Sequence, residues 1–330
     1  MIVRLGTRRS ALATTQSESV AKLLRERGHQ VELVMITTEG DTNRAPLESM
    51  GGTGVFAAAI RHALLAGEVD LAVHSLKDLP VQPEPGLVIA AIPPREDPRD
   101  AIVARDGLTL AELPQDSVVG TGSPRRAAQL NALGLGLQVR GIRGNIDTRM
   151  SLVTSGTVDA VVLARAGLAR VGRTEAITEV LDPLQMLPAP GQGALALEVR
   201  EDDTELRTAL APLDDPDTRA AVTAERAVLG ALEAGCSSPI GALAEVVEEL
   251  DGSLLISLRA FVGSKDGLFE LRRSVTGPIE AAPRLGTELA QLLLQDGAAD
   301  VIPPGAPPQP DASRTHPEDL VPTNAAERES

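Results

Sequence analysis

"SVVGTGSPRRAAQLNALG", residues 117–134, decides the reading of the fold. It gives a short apolar strand, a Gly-Thr-Gly turn, and a helix that starts at Ser123-Pro124. Ser serves as N-cap, and Pro takes the first helical position, where its missing N–H costs nothing. The same order opens the chain: "IVRLGTRRSALATTQSESVAKLLRERG" reads as strand, Gly-Thr turn and an amphipathic helix closed by Gly28. Leu5-Gly6-Thr7 thus matches Val119-Gly120-Thr121, and Gly67-Glu68-Val69-Asp70 matches Gly156-Thr157-Val158-Asp159 further along each half.

Outward from these two units, "VELVMI" (31–36), "EVDLAVHS" (68–75), "LQVRG" from Leu137 and "TVDAVVLA" (157–164) read as strands, with helices between them. Strands alternating with helices imply mainly parallel sheets with ligand sites at strand carboxyl ends. "ALALEV" (194–199) is a further strand, placed to cross back and complete the first sheet. From Pro216 the pattern changes to one long helix reaching Ala234, then strands near 242–249, 253–262 and 268–275 with turns at Asp251-Gly252 and Asp266-Gly267, then a last helix. The fold class expected is therefore α/β: two similar doubly wound, periplasmic-binding-protein-like domains around a cleft, plus a small α+β C-terminal domain. Their expected extents are 1–94 with 194–211, 99–190, and 216–300; the Pro-rich, polar 301–330 should be a disordered tail.

Composition narrows the function. At 330 residues and 43% hydrophobic content the chain buries more than one core. The N-terminal "MIVRLGTRRS" has no long apolar region, and no later stretch offers about 20 apolar residues for a membrane span, so a cytoplasmic protein is expected. Three Phe, no Tyr, no Trp and a net charge of −15 argue against nucleic acid or an acidic membrane. One cysteine, Cys236, and four scattered histidines supply no metal-ligand spacing, so no metal is expected. Only three lysines (Lys22, Lys77, Lys265) occur, and arginine makes up the remaining positive charge.

Those arginines gather at strand-to-helix junctions. Ser123-Pro124-Arg125-Arg126 would bring free backbone N–H groups, a helix dipole and two guanidinium forks to one point. Thr7-Arg8-Arg9-Ser10 repeats that chemistry in the first half, and Arg143-Gly144-Asn145 with Arg149 adds a third cluster. One cluster alone is most simply a solvated helix end; three at corresponding junctions across one cleft point to a small polyanion, with planar carboxylates suiting arginine. "AVHSLKDLP" holds Ser75, Lys77 and Asp78 at a strand end, where an Asp is commonly a turn former. Facing the cleft, Asp78 could shuttle a proton or stabilise a cation, and Lys77 could bind an anion. The "GGTGVF" loop lacks a P-loop ending, and residues 41–54 read as a mobile loop. Cys236 follows Gly235, a plausible helix C-cap, and is either an inert buried thiol or a nucleophile or attachment point, with no neighbouring base in the sequence to activate it.

Taken together, "AVHSLKDLP", "REDPRDAIV", "VGTGSPRRAAQL", "RGNIDTR", "LPAPGQGALALE" and "TAERAVLGALEAGCSSPIGALA" resemble the porphobilinogen deaminase (hydroxymethylbilane synthase) family, in the family's order and over roughly residues 2 to 300. The resemblance implies a transferase that condenses four porphobilinogen molecules head to tail, releasing ammonia, on a dipyrromethane cofactor joined by a thioether to Cys236. It implies Asp78 as the catalytic carboxylate. It places Lys77, Ser75, Thr121, Ser123, Arg125 and Arg126 at the cofactor, and Arg8, Ser10, Gln16, Phe56, Arg143, Arg149 and Arg170 at the substrate. It further implies a monomer in heme biosynthesis that works on polypyrrole intermediates and hands its product to uroporphyrinogen-III synthase. Thr53 stands where many members have lysine, Leu76 replaces a frequent methionine, and Pro124 suits the first helical position. The competing reading is a cytosolic binding protein for small polycarboxylates, which needs neither Cys236 nor a third domain.

Overall fold

The computed structural model describes residues 1–37, 55–232 and 238–302, with the side chains of Val55 and Phe56 outside that description. The first sheet contains β1 (Ile2–Arg8), β2 (Gln30–Ile36), β3 (Leu71–Ser75), β4 (Leu87–Ala91) and β10 (Leu195–Arg200), in the order β2-β1-β3-β10-β4. The second contains β5 (Asp100–Ala104), β6 (Val118–Thr121), β7 (Gln138–Gly141), β8 (Ala160–Ala164) and β9 (Glu179–Val180), in the order β7-β6-β8-β5-β9. The two orders are the same arrangement. In each, the first three strands run parallel, with Leu5 opposite Leu71 and Val119 opposite Ala160. One strand in each is reversed, β10 in the first and β5 in the second, and each follows directly on a segment that crosses between the halves. The predominance of one strand direction and the return of the chain through β10 agree with the sequence reading.

Helices cover both faces because successive strand residues point to opposite sides. Leu71 and Val73 meet Val20 and Leu24 of α1 (Ala11–Glu26), whereas Ala72 packs with Ile60 and Leu64 of α2 (Val55–Leu65). In the second sheet, Ile102 and Val162 face Leu130 of α3 (Pro124–Ala132). Val103 and Val161 face Val153 of α4 (Ile146–Thr154) and Leu168 of α5 (Arg165–Arg170). The short α6 (Thr204–Leu210) closes the first core with Leu206 and Leu210.

The C-terminal unit places α7 (Pro216–Ala231) and α8 (Ala282–Gln295) on an antiparallel sheet of β11 (Ile240–Glu248), β12 (Leu254–Gly263) and β13 (Glu270–Pro278). Val228, Leu258, Leu285 and Leu289 form its core. Gly252 and Gly267 take φ of +84° and +77° in the two hairpin turns, as the Asp-Gly pairs anticipate. Three details differ from the sequence reading. The described turns of α7 end at Ala231 with Leu232 as cap, short of Ala234, and the expected cap Gly235 lies outside the described residues. The strands are offset by one to three residues from their expected bounds, the first starting at Ile240 and the last running from Glu270 to Pro278, because pairing with β12 sets their extent. Val301 and Ile302 pack against the C-terminal core, whereas the rest of the proposed tail, 303–330, lies outside the described residues. This unit touches both sheets' layers: Phe261 and Leu243 meet Ala128 and Leu187, and Val222 meets Leu76, Leu79 and Ala194.

Candidate active site

Three helix starts face the junctions picked out by the arginines. At β6–α3, Thr121 Oγ1 accepts from Ser123 N at 3.1 Å, and Ser123 Oγ accepts from Arg126 N at 3.4 Å, with Pro124 in the first turn. Gly122 is needed there, because a Cβ would sit 2.7 Å from the Ile142 carbonyl oxygen of the neighbouring loop. At β1–α1, Ser10 caps the helix through Ala13 N. At α4, Asn145 Oδ1 accepts from Thr148 N at 2.8 Å, while Arg149 Nε donates to Gly144 O at 2.8 Å. Sequence reasoning placed all three correctly; the hydroxyls of Thr121, Ser123 and Ser10 are engaged in holding the turns.

Arg125 and Arg126 differ from the exposed forks that the sequence suggests. Both are buried, and both bind Asp100 at the start of β5: Arg125 Nη2 to Oδ2 at 2.8 Å and Arg126 Nη2 to Oδ1 at 2.7 Å. Their other terminal nitrogens donate to Leu187 O and Val162 O. Gln192 adds a bond to Asp100 at 2.8 Å. Burial by itself would raise the Asp100 carboxyl; the two guanidiniums overcome it and hold that group far below the ordinary carboxylate range. Burial in turn lowers the Arg125 guanidinium, against the pull of Asp100. The Nε atoms of both arginines are buried with no hydrogen-bond partner among the described residues. Asp100 was missed as a site residue. Its signal is a charged residue opening the apolar run "DAIVA", which needs a buried partner.

Across from this pair, β3 ends at Ser75 and continues as one turn of 3-10 helix, Leu76–Asp78. Arg8, Gln16, His74, Ser75 and Asp78 line a shared pocket. Gln16 Nε2 donates to Ser75 Oγ at 2.9 Å, which fixes α1 to the end of β3. Asp78 is exposed at the rim. Lys77 is half-buried; loss of hydration pushes its ammonium below the usual lysine range, Arg126 and Arg125 add to this, and Asp78 and Asp100 oppose it. Burial likewise lowers Arg149, with Arg126 and Arg143 acting in the same sense and Asp78 against. Lys77 and Asp78 from one half therefore share an electrostatic neighbourhood with Arg126, Arg143 and Arg149 from the other. Arg170 stands at the crossing segment instead, donating from Nη2 to Gly193 O at 2.6 Å.

A second buried cluster lies behind β3. His74 Nε2 is 2.9 Å from Glu198 Oε2, and Arg61 Nη2 is 2.8 Å from Glu198 Oε1. Burial would raise Glu198, and His74 and Arg61 together hold it below its usual value. No group of three or more metal-ligating side chains occurs among the described residues, and none of their helices is long and apolar enough to cross a membrane. Cys236 and Thr53 fall outside the described residues, as does the side chain of Phe56.

Two family models match the chain. One, "Porphobilinogen deaminase, dipyromethane cofactor binding domain", covers residues 3–208, and the other, "Porphobilinogen deaminase, C-terminal domain", covers 219–295. The chain belongs to the porphobilinogen deaminase family. A porphobilinogen deaminase of Mycobacterium tuberculosis is 57% identical over 305 residues, 91% of this chain and 98% of that one. One of Mycobacteroides abscessus is 56% identical over 91% of this chain and 99% of its own. Among solved structures, a nutrient binding protein from Burkholderia cenocepacia bound to methionine aligns with a TM-score of 0.40 at 14% identity, over 63% of this chain and 89% of that one. The family match supports the deaminase reading over the polycarboxylate-binding one. The residues present also fit the family's dipyrromethane cofactor, whose pyrroles carry acetate and propionate groups. Orphaned Nε atoms on two buried arginines and a cationic patch at a helix N-terminus are what such carboxylates require.

Proposed function

We propose that this chain condenses four porphobilinogen molecules head to tail with release of ammonia and frees the product by hydrolysis as hydroxymethylbilane. The observation that carries this reading is one carboxylate, Asp78, set at a strand end among cationic groups contributed by both halves. The dipyrromethane group, held by a thioether to Cys236, supplies the pyrrole carbon to which the first substrate is joined. In each addition the substrate's protonated aminomethyl group leaves as ammonia, the positive charge it leaves on the substrate is quenched as a C–C bond forms to the free α-carbon of the terminal pyrrole, and that carbon then loses its proton. Asp78 stabilises that charge and accepts pyrrole N–H groups. Arg8, Ser10, Gln16, Phe56, Arg143, Arg149 and Arg170 bind or steer substrate carboxylates. Lys77, Ser75, Thr121, Ser123, Arg125 and Arg126 serve the cofactor, Arg125 and Arg126 through the partly satisfied guanidiniums above Asp100.

The domain extents that suit this division of labour are 1–94 with 194–211 for the catalytic Asp78, 99–190 for the arginine sites and 216–300 for Cys236. The enzyme works as a cytoplasmic monomer and hands its product to uroporphyrinogen-III synthase. Incubation with porphobilinogen tests the reading: ammonia release with hydroxymethylbilane formation supports it, and binding without ammonia release overturns it. Mass spectrometry of active protein should show a dipyrromethane adduct on Cys236.

A further inference from the structure

The turn that presents Asp78 is held from outside. Its three residues make one internal backbone bond, Leu79 N to Leu76 O at 3.2 Å, and Ser75 gives it no side-chain cap. Asp78 is exposed, so the backbone of the turn, rather than packing around the side chain, sets where the carboxylate points. Arg226 on α7 supplies the missing support. Its Nη1 donates to Leu76 O at 3.3 Å and Leu79 O at 2.9 Å, and its Nη2 donates to Pro80 O at 2.6 Å. One guanidinium thus gathers three carbonyl oxygens that bracket Asp78 by two residues on either side. Three carbonyl dipoles converging on one place repel unless a cation lies between them, and the guanidinium fork spans them with two separate nitrogens, which a single ammonium does not offer.

The apolar side of the turn is held by the same helix. Val222, one turn before Arg226, packs with Leu76 and Leu79, and Gly230, one turn after, allows Val81 to approach; a Cβ there would be 3.1 Å from Val81 Cγ1. The next residue back, Glu225, ties α7 to the crossing segments and to β11 through Arg95, Gly191 N and Ala244 N.

We infer that Arg226 is a positioning residue for the reaction. It fixes the Leu76–Asp78 turn so that Asp78 keeps its place opposite Arg149, and it makes α7 of the C-terminal unit part of the catalytic apparatus. This rests on the role proposed for Asp78. Arg226 touches no reacting atom; it acts through the backbone on either side of the carboxylate.

The test uses the full-length, cofactor-loaded protein with the variants Arg226→Gln, Arg226→Lys, Asp78→Asn and the double variant Asp78→Asn with Arg226→Gln. Arg226→Gln is expected to lower kcat by about 10- to 100-fold, the scale of a small misplacement of a reacting group, with KM within about twofold and the cofactor mass intact. Arg226→Lys keeps the charge and loses the fork, so it should recover less than about a third of the lost kcat. The double variant should turn over within about twofold of Asp78→Asn alone, since Arg226 acts only through Asp78. A kcat near wild type in Arg226→Lys, or a double variant slowed by the full product of the two single effects, overturns the inference. If Arg226→Gln does not fold, Arg226→Lys decides alone. Wild-type turnover in Asp78→Asn is a different result: it removes the proposed role of Asp78 and leaves the clamp a matter of fold stability.

Discussion

Glu225 and Arg95 meet as a two-armed ion pair, Oε1 to Nη1 at 2.6 Å and Oε2 to Nη2 at 3.0 Å, with the carboxylate fully buried. Arg95 belongs to the first segment crossing between the halves, and the same carboxylate accepts from Gly191 N of the second crossing at 2.6 Å and from Ala244 N of β11 at 2.9 Å. Arg95 Nε also reaches Gln192 O at 2.8 Å. One side chain of α7 therefore joins both crossings to the C-terminal sheet, and any change in the angle between the halves must work around this point.

Glu225→Gln should destabilise the fold by about 3–5 kcal/mol, because it leaves the Arg95 charge confined without its partner. Urea unfolding measures this. Replacing both residues, Glu225→Gln with Arg95→Gln, should cost less than the sum of the two single changes, since no lone charge then remains. Strict additivity would mean that the pair is not a unit.

Asp100 gives a pH-dependent prediction. An Asp carboxyl titrates near about 3.9 in an unfolded chain. In the fold Asp100 is held below that by Arg125 and Arg126, so the folded state binds its proton less readily. The stability it contributes is therefore fully present above about pH 4 and is lost as the pH falls toward the folded value. The unfolding free energy of wild type minus that of Asp100→Asn should stay constant from about pH 7 to 5 and narrow by up to about 1.4 kcal/mol per pH unit below 4. A difference that stays flat in acid would show that the ion pair does not form.

Gly193→Ala probes the crossing itself. Gly193 has φ of +89°, and a Cβ would overlap Glu96 O on the other crossing segment. The backbone strain costs about 1–2 kcal/mol, and the overlap adds about 1–3 kcal/mol unless the two segments separate. Arg170 Nη2 binds Gly193 O, so separation would also move that arginine. A lower unfolding midpoint together with a raised KM for porphobilinogen is expected; an unchanged midpoint would mean that the crossings are already loosely associated.

What could be read from the sequence, and what could not, divides by distance along the chain. The two Gly-Thr turns, the caps Ser10, Ser123 and Asn145, and the Asp-Gly hairpins are local: each contact closes within a few residues, and the residue types report it. The return of "ALALEV" to the first sheet was legible as well, because an apolar strand after the second unit had an unpaired sheet to join. The buried ion pairs were not. Asp100 lies 25 residues from Arg125, Glu225 lies 130 from Arg95, and Glu198 lies 137 from Arg61, and nothing in the local pattern around any of them names its partner. For the same reason Arg125 and Arg126 read as open forks at a helix start. The junction is right, but the carboxylate that takes their terminal nitrogens arrives on another strand.

Asp78 and Arg149 should fail in different ways when changed. A carboxylate that faces a positive charge formed only during the reaction contributes to the transition state and little to substrate binding. Asp78→Asn should therefore lower kcat by about 100- to 1,000-fold, the usual cost of losing one such electrostatic partner, with KM nearly unchanged. Arg149 is half-buried beside Arg126 and Arg143, with its Nε committed to Gly144 O, and the role proposed for it is to meet a carboxylate that is charged throughout the reaction. Arg149→Gln should raise KM for porphobilinogen more than it lowers kcat, because it removes binding that ground state and transition state share. Steady-state rates of ammonia release on both variants, each checked by mass for the adduct proposed on Cys236, separate the two roles. If Arg149→Gln lost kcat at constant KM, the charge it neutralises would be one that develops during the reaction, and Arg149 would belong with Asp78 instead of with the binding groups.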